Sequence, residues 1–219
     1  MNRNTQQNNQ PFRRSRKAGY SLVEVLMVLG ISSFVIAGIL AFYVQFYKIG
    51  FVNEQRNRIN RDIRQLTGEL ADAGRQANYF TIYNSYLEED RDKASDRILD
   101  GGSGDMLVFV YLEEDGDGIE SISGYFRDVS GEDADVRGPV RRFTQEFSPA
   151  SDARLESLLP TPFEMSGSDE VVELSRGLSN GKLFYNFWGR SIMVNGQIYH
   201  GNDAKRVTET YNFTISPRG

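Results

Sequence analysis

Between Glu24 and Lys48 the chain runs for 23 positions without a charged residue. As an α-helix rising 1.5 Å per residue, that run is ~35 Å long, enough to cross a hydrocarbon core of about 30 Å. A helix that is apolar on every face needs lipid or other helices around it. Glu24 stands at the head of this run, and an ionised carboxylate inside a membrane helix costs about 2.5–3.5 kcal/mol on insertion scales. Such a residue needs a partner. Upstream, residues 1–19 carry Arg3, Arg13, Arg14, Arg16 and Lys17 and no acid, which holds that end of the chain on the cytoplasmic side.

The segment Gly19-Tyr20-Ser21-Leu22-Val23-Glu24, behind a basic leader and ahead of an apolar helix, resembles the processing site of type IV pilins and type II secretion pseudopilins. In that family a dedicated membrane peptidase cuts after the glycine and methylates the new N-terminal aromatic. An acid lies four positions after that aromatic. The resemblance implies that Gly19 precedes the cut, that Tyr20 becomes the N-methylated terminus and that Glu24 is the buried acid. Tyr20 stands where Phe is commoner, and Ser21 where Thr is frequent. An ordinary secretory signal is cut after its apolar region, at a small-x-small site; here the apolar run is retained. Glycine suits the scissile position because it lets backbone approach closely and adopt unusual angles. Glu24 would then meet the positive α-amino group of Tyr20, its own or a neighbour's, which removes the isolated charge and sets the axial register between filament subunits. The competing reading is a signal anchor with an incidental glutamate.

Within the apolar run, Gly30, Ser32, Ser33, Ala37, Gly38 and Ala41 are small residues of the kind that let helices approach closely in lipid; ordinary transmembrane composition accounts for each of them equally well. Many bacterial family members have Pro where this chain has Ala41. Beyond the run the helical pattern continues: Val52, Ile59, Ile63, Leu66, Leu70, Ala73 and Ala77 recur at helical spacings as one apolar stripe. Arg56, Arg58, Arg61, Asp62 and Arg64 occupy the other faces, solvated or against another subunit. We therefore expect one helix over about 22–76, apolar all round in its first half and amphipathic in its second. The expected organisation is a leader at 1–19, a transmembrane and assembly helix at 20–48, its amphipathic continuation at 49–77, and a β-rich head at 78–219.

Taking the five basic residues of 1–19 from the chain's 25 leaves 20 against 30 acidic residues. A mature chain of that charge is a poor general binder of nucleic acid, whose affinity rests on phosphate contacts. Cysteine is absent, so the C-terminal disulfide of many pilins cannot form here. The head reads as strands at 79–83, 106–112, 119–127, 140–147, 171–174, 182–187, 191–194, 197–200 and 206–215. A hairpin is expected between the second and third of these, a short helix at 151–159 ended by Pro160 and Pro162, and a two-residue hairpin turn at Asn195-Gly196. The fold class is α+β, a long N-terminal helix packed on an antiparallel sheet.

Glu113-x-Asp115-x-Asp117-Gly118 places oxygen donors at alternating positions before a glycine, as calcium loops do. Gly124 stands where a full loop has its bidentate Glu, and Glu120 comes four positions early. Asp and Gly favour the same tight turn without any metal. A second acidic cluster, Glu132, Asp133 and Asp135, lies further along. The candidate cofactor is thus Ca2+ on Glu113, Asp115, Asp117 and Glu120, and no other is implied. His200 is the one histidine, read as a surface or packed residue, and nothing has the spacing of a nucleophile elbow, so no catalytic residue is assigned. Phe184, Tyr185, Phe187 and Trp188 suit a half-buried strand better than a stacking platform for sugar or single-stranded DNA.

The resemblance implies a non-enzymatic filament subunit of the bacterial inner membrane, single-pass, with its leader cytoplasmic and its head outside. Prepilin peptidase/methyltransferase would process it. An inner-membrane platform with its ATPase would then assemble it with other pilin or pseudopilin subunits into a type IV pilus or a type II secretion pseudopilus. A head of this size with long acidic loops suits a minor subunit that primes or caps the filament, similar in layout to J-type pseudopilins and W-type minor pilins. The alternative is a membrane-anchored binding module whose head captures DNA, glycan or secreted cargo.

Overall fold

The computed structural model describes residues 19–114, 118–129, 137–178, 181–202 and 205–217. Helix α1 spans Leu22–Gln76, with Glu24 in its first turn and Arg75 in its last, each placed to complement the helix dipole. The chain divides into two compact units, one up to Ile49 and one from Gly50 onward.

In the first unit every described residue is exposed. The hydroxyl of Ser33 donates to Leu29 O at 2.8 Å, so a polar side chain in an apolar helix is satisfied within its own turn.

In the second unit α1 buries Gln55, Ile59, Leu66, Leu70 and Gly74, with Ile63 and Ala73 half-buried against the same core. Val52, expected on this stripe, is exposed, because it lies one turn before the first buried residue of the helix. Gly74 is needed where it stands: a Cβ there would come 2.6 Å from the Ile215 side chain. The helix end is tied down by Tyr111, whose hydroxyl donates to Ala73 O. Asn78 then turns the chain into the sheet, its N–H donating to Val110 O and its side chain accepting from Leu112 N.

The sheet contains β1 Tyr79–Tyr83, β2 Ser103–Gly104, β3 Met106–Leu112, β4 Ile119–Arg127, β5 Gly138–Ser151, β6 Asp169–Gly177, β7 Phe184–Phe187, β8 Ser191–Asn202 and β9 Lys205–Ile215. Strand order is β1-β3-β4-β5-β6-β8-β7-β2, with β9 on the other edge of β8, and every pairing is antiparallel. Side chains alternate in β3: Leu107 and Phe109 enter the core under α1, whereas Met106, Val108 and Val110 enter a second core on the opposite face. Short helices α2 Leu155–Leu158 and α3 Pro162–Ser166 supply Leu155 and Met165 to that second core.

The expected hairpin is present, with Met106 opposite Phe126 and Leu112 opposite Ile119. The helix expected over 151–159 is shorter, and Pro162 starts a second helix rather than only ending the first. Thr161 caps α3 and Glu164 closes the capping box, with Pro162 in the first turn, where a missing N–H costs nothing. The turn expected at Asn195-Gly196 is a correction. Both residues lie inside β8, opposite Asn212 and Tyr211 of β9. Gly196 is required there because a Cβ would sit 2.4 Å from the Tyr211 hydroxyl oxygen. That hydroxyl crosses Gly196 to pair with Ser175 Oγ of β6 at 3.0 Å.

Candidate functional site

Gly19, Tyr20 and Ser21 precede the helix and are exposed. Tyr20 is 81% accessible, and no heavy atom lies within 4 Å of a Cβ built on Gly19. No described part of the chain covers Gly19 or Tyr20. Helix α1 opens with Val25 N donating to Ser21 O at 3.1 Å. Glu24 is one helical turn beyond Tyr20, in the turn whose free amides favour a negative charge. Among the described residues nothing pairs with the Glu24 carboxylate, and its neighbours Leu22, Val23, Val25, Leu26, Met27 and Val28 are all exposed apolar side chains. This helix alone among the described residues is long and apolar enough to cross a membrane. A bare apolar surface and an unpartnered acid together call for an environment from outside the chain.

The remaining sequence candidates are scattered. Glu113 and Glu120 are exposed, and Glu113 N donates to Gly118 O at 3.0 Å. Asp115, Asp117, Glu132, Asp133 and Asp135 lie outside the described residues. Among the described residues no group of three or more acidic or histidine side chains is arranged to hold a metal. Of the aromatic cluster, Phe184 is core, as expected. Phe187 and Trp188 are 56% and 67% exposed, at the β7–β8 turn, so the core reading is corrected for these two. Trp188 has φ 58°, a left-handed conformation that is costly for a bulky side chain.

Three charged networks escaped the sequence reading. Asp105, buried before β3, holds Arg127 Nη2 at 2.7 Å and Lys182 Nζ at 3.4 Å, and accepts from Leu183 N. It fastens the β3–β4 end of the sheet to the segment leading into β7. Glu156 on α2 accepts from Arg97 at 2.6 Å and from Tyr83 at 3.0 Å. Burial pushes the Glu156 carboxyl up, but its own backbone amide, Arg97 and Tyr83 together bring it below the ordinary value. Burial first, and then Glu156, raise Tyr83. The third network surrounds His200, which is buried against Asp62 and Glu173. No local motif marks these groups, since their partners lie from 22 to 138 positions away.

No curated protein and no solved structure matches the chain. Residues 14–40 match the family model described as the prokaryotic N-terminal methylation motif, and this match supports a type IV pilin-like precursor of the kind that prepilin peptidase processes. The matched segment contains Gly19, Tyr20 and Glu24, so the chain carries the N-terminal methylation motif of type IV pilin-like precursors on a helix long enough to anchor it in a membrane.

Proposed function

We propose that the chain is a minor pilin or pseudopilin, cut between Gly19 and Tyr20, N-methylated on Tyr20 and assembled into a type IV pilus or type II secretion pseudopilus. The observation that carries this reading is Glu24, unpartnered among the described residues one turn from the would-be terminus, on a stretch of helix exposed on every side as far as Gly50. The cut creates an α-amino cation, and Glu24 of the same or a neighbouring subunit is its counter-ion. Pairing the two removes a cost of about 2.5–3.5 kcal/mol in lipid and fixes how far one subunit rises past the next. The helix is the membrane anchor before assembly and the filament core after it. The head is extracytoplasmic and its size and acidic loops suit a priming or capping subunit. No residue is assigned a catalytic role.

The test is incorporation. Filaments sheared from cells carrying wild-type chain are expected to contain it, and those from Glu24→Val cells to lack it while membrane levels stay equal. Equal incorporation of both would remove Glu24 from the account. A second reading, a binding head on the same anchor, is favoured by exposed Phe187 and the strained Trp188. On that reading Trp188→Ala leaves incorporation intact and removes binding to an oligosaccharide or single-stranded oligonucleotide probe.

A further inference from the structure

His200 lies on β8 where that strand meets both β6 and the amphipathic half of α1, and it is 6% exposed. Its Nε2 is 2.6 Å from Asp62 Oδ2 on α1, and its Nδ1 is 3.1 Å from Glu173 Oε2 on β6. A groove of about 520 Å³, lined by Glu54, Asn57, Arg58 and Arg61 of the helix, opens onto Asp62 and the ring. Around it Arg58 pairs with Glu54 at 2.8 Å and Arg56 with Glu209 of β9 at 3.3 Å, while Arg61 lines the groove. The groups that face the imidazole are therefore Asp62 from the helix and Glu173 from the sheet. Arg58, Arg61 and Glu54 stand along the groove, and the Arg56–Glu209 pair lies on the β9 side.

Carboxylates only accept hydrogen bonds, so both contacts are bonds only when each ring nitrogen carries a proton. A neutral imidazole has one N–H and one lone pair, and that lone pair would face a carboxylate at bonding distance. We infer that His200 is a proton-operated clasp. As an imidazolium it bridges Asp62 and Glu173 and fastens α1 to β6 and β8. On losing a proton it gives up one bond and sets a carboxylate against a lone pair, which loosens the helix around Asp62. With both carboxylates ionised, the clasped form is the one with both ring nitrogens protonated, and it is lost as the ring gives up a proton with rising pH. This inference goes beyond the filament proposal and stands without it.

The experiment is amide hydrogen exchange on the full chain in detergent micelles, from about pH 5 to about pH 8.5, the span in which histidine as a residue type changes charge, corrected for the intrinsic pH dependence of exchange. Peptides from 55–66 are expected to exchange about tenfold faster at the alkaline end, and peptides from 106–112 to be unchanged. His200→Gln, which cannot become charged, should exchange at the fast level at both ends. Glu173→Gln keeps an acceptor but removes a charge, and should move the transition to lower pH; it decides the matter if the His200 variant does not fold. Nitrogen spectra of the ring should find both nitrogens protonated at the acid end. Exchange in 55–66 that does not change with pH, a transition unmoved in Glu173→Gln, or a bare ring nitrogen at the acid end would overturn the clasp.

Discussion

A single Cβ decides whether β8 can run straight through Asn195 and Gly196. The Tyr211 ring covers Gly196 on its way to Ser175, and burial pushes the Tyr211 hydroxyl up to about 12. Gly196→Ala is therefore expected to displace the ring, break the Ser175 bond and cost about 1–3 kcal/mol, read as a lower denaturant midpoint. A second residue-scale prediction concerns acid. Glu156 is held below its ordinary value in the folded chain, so its contribution is fully present above the unfolded carboxylate value of about 4.3. It is lost as pH falls through the lower, folded value. Glu156→Gln should therefore destabilise the head by about 1–3 kcal/mol at neutral pH and flatten the loss of stability below about pH 4.3, measured as melting against pH. At this scale the motif around Gly19, Tyr20 and Glu24 stood out because it is contiguous, and the family-model match covers the same segment, residues 14–40. The partners of His200 did not, because Asp62 is 138 positions away and no local pattern joins them.

Helix α1 is one element with two different jobs, and its halves should respond differently to the same kind of change. Leu66 is 1% exposed in the core under the sheet, so Leu66→Ala is expected to cost about 2–5 kcal/mol. Phe46→Ala, on a residue exposed in the other unit, should leave head stability within about 0.5 kcal/mol. Chemical denaturation of both variants in micelles checks the contrast. The helix was legible end to end because a 3.6-residue apolar period and an uncharged run are local signals. Strands β3 and β4 were legible as apolar runs on either side of an acidic, Gly-containing turn, and the structure sends alternate β3 side chains into two cores. The unity of β8 was not, since Asn-Gly reads as a turn wherever the ring lying over the glycine is out of view.

The architecture of a long helix and an antiparallel sheet was readable from sequence, but the strand order was not. The strand β2 is only two residues long and falls between the strands expected at 79–83 and 106–112, and β7 and β6 share one edge of β8 at different registers. Such long-range pairing is set by side chains meeting across the sheet, not by neighbours in the chain. At the scale of the whole molecule the central claim is that Gly19-Tyr20 is a processing site and that the chain from Tyr20 onward is a filament subunit. The measurement that tests this most directly is the intact mass of the membrane-extracted chain from cells with and without an active prepilin peptidase. The account predicts a peptidase-dependent loss of residues 1–19 together with the gain of one methyl group on Tyr20. A chain of the same uncut mass in both cells would contradict it and leave an anchored protein whose head must supply the function.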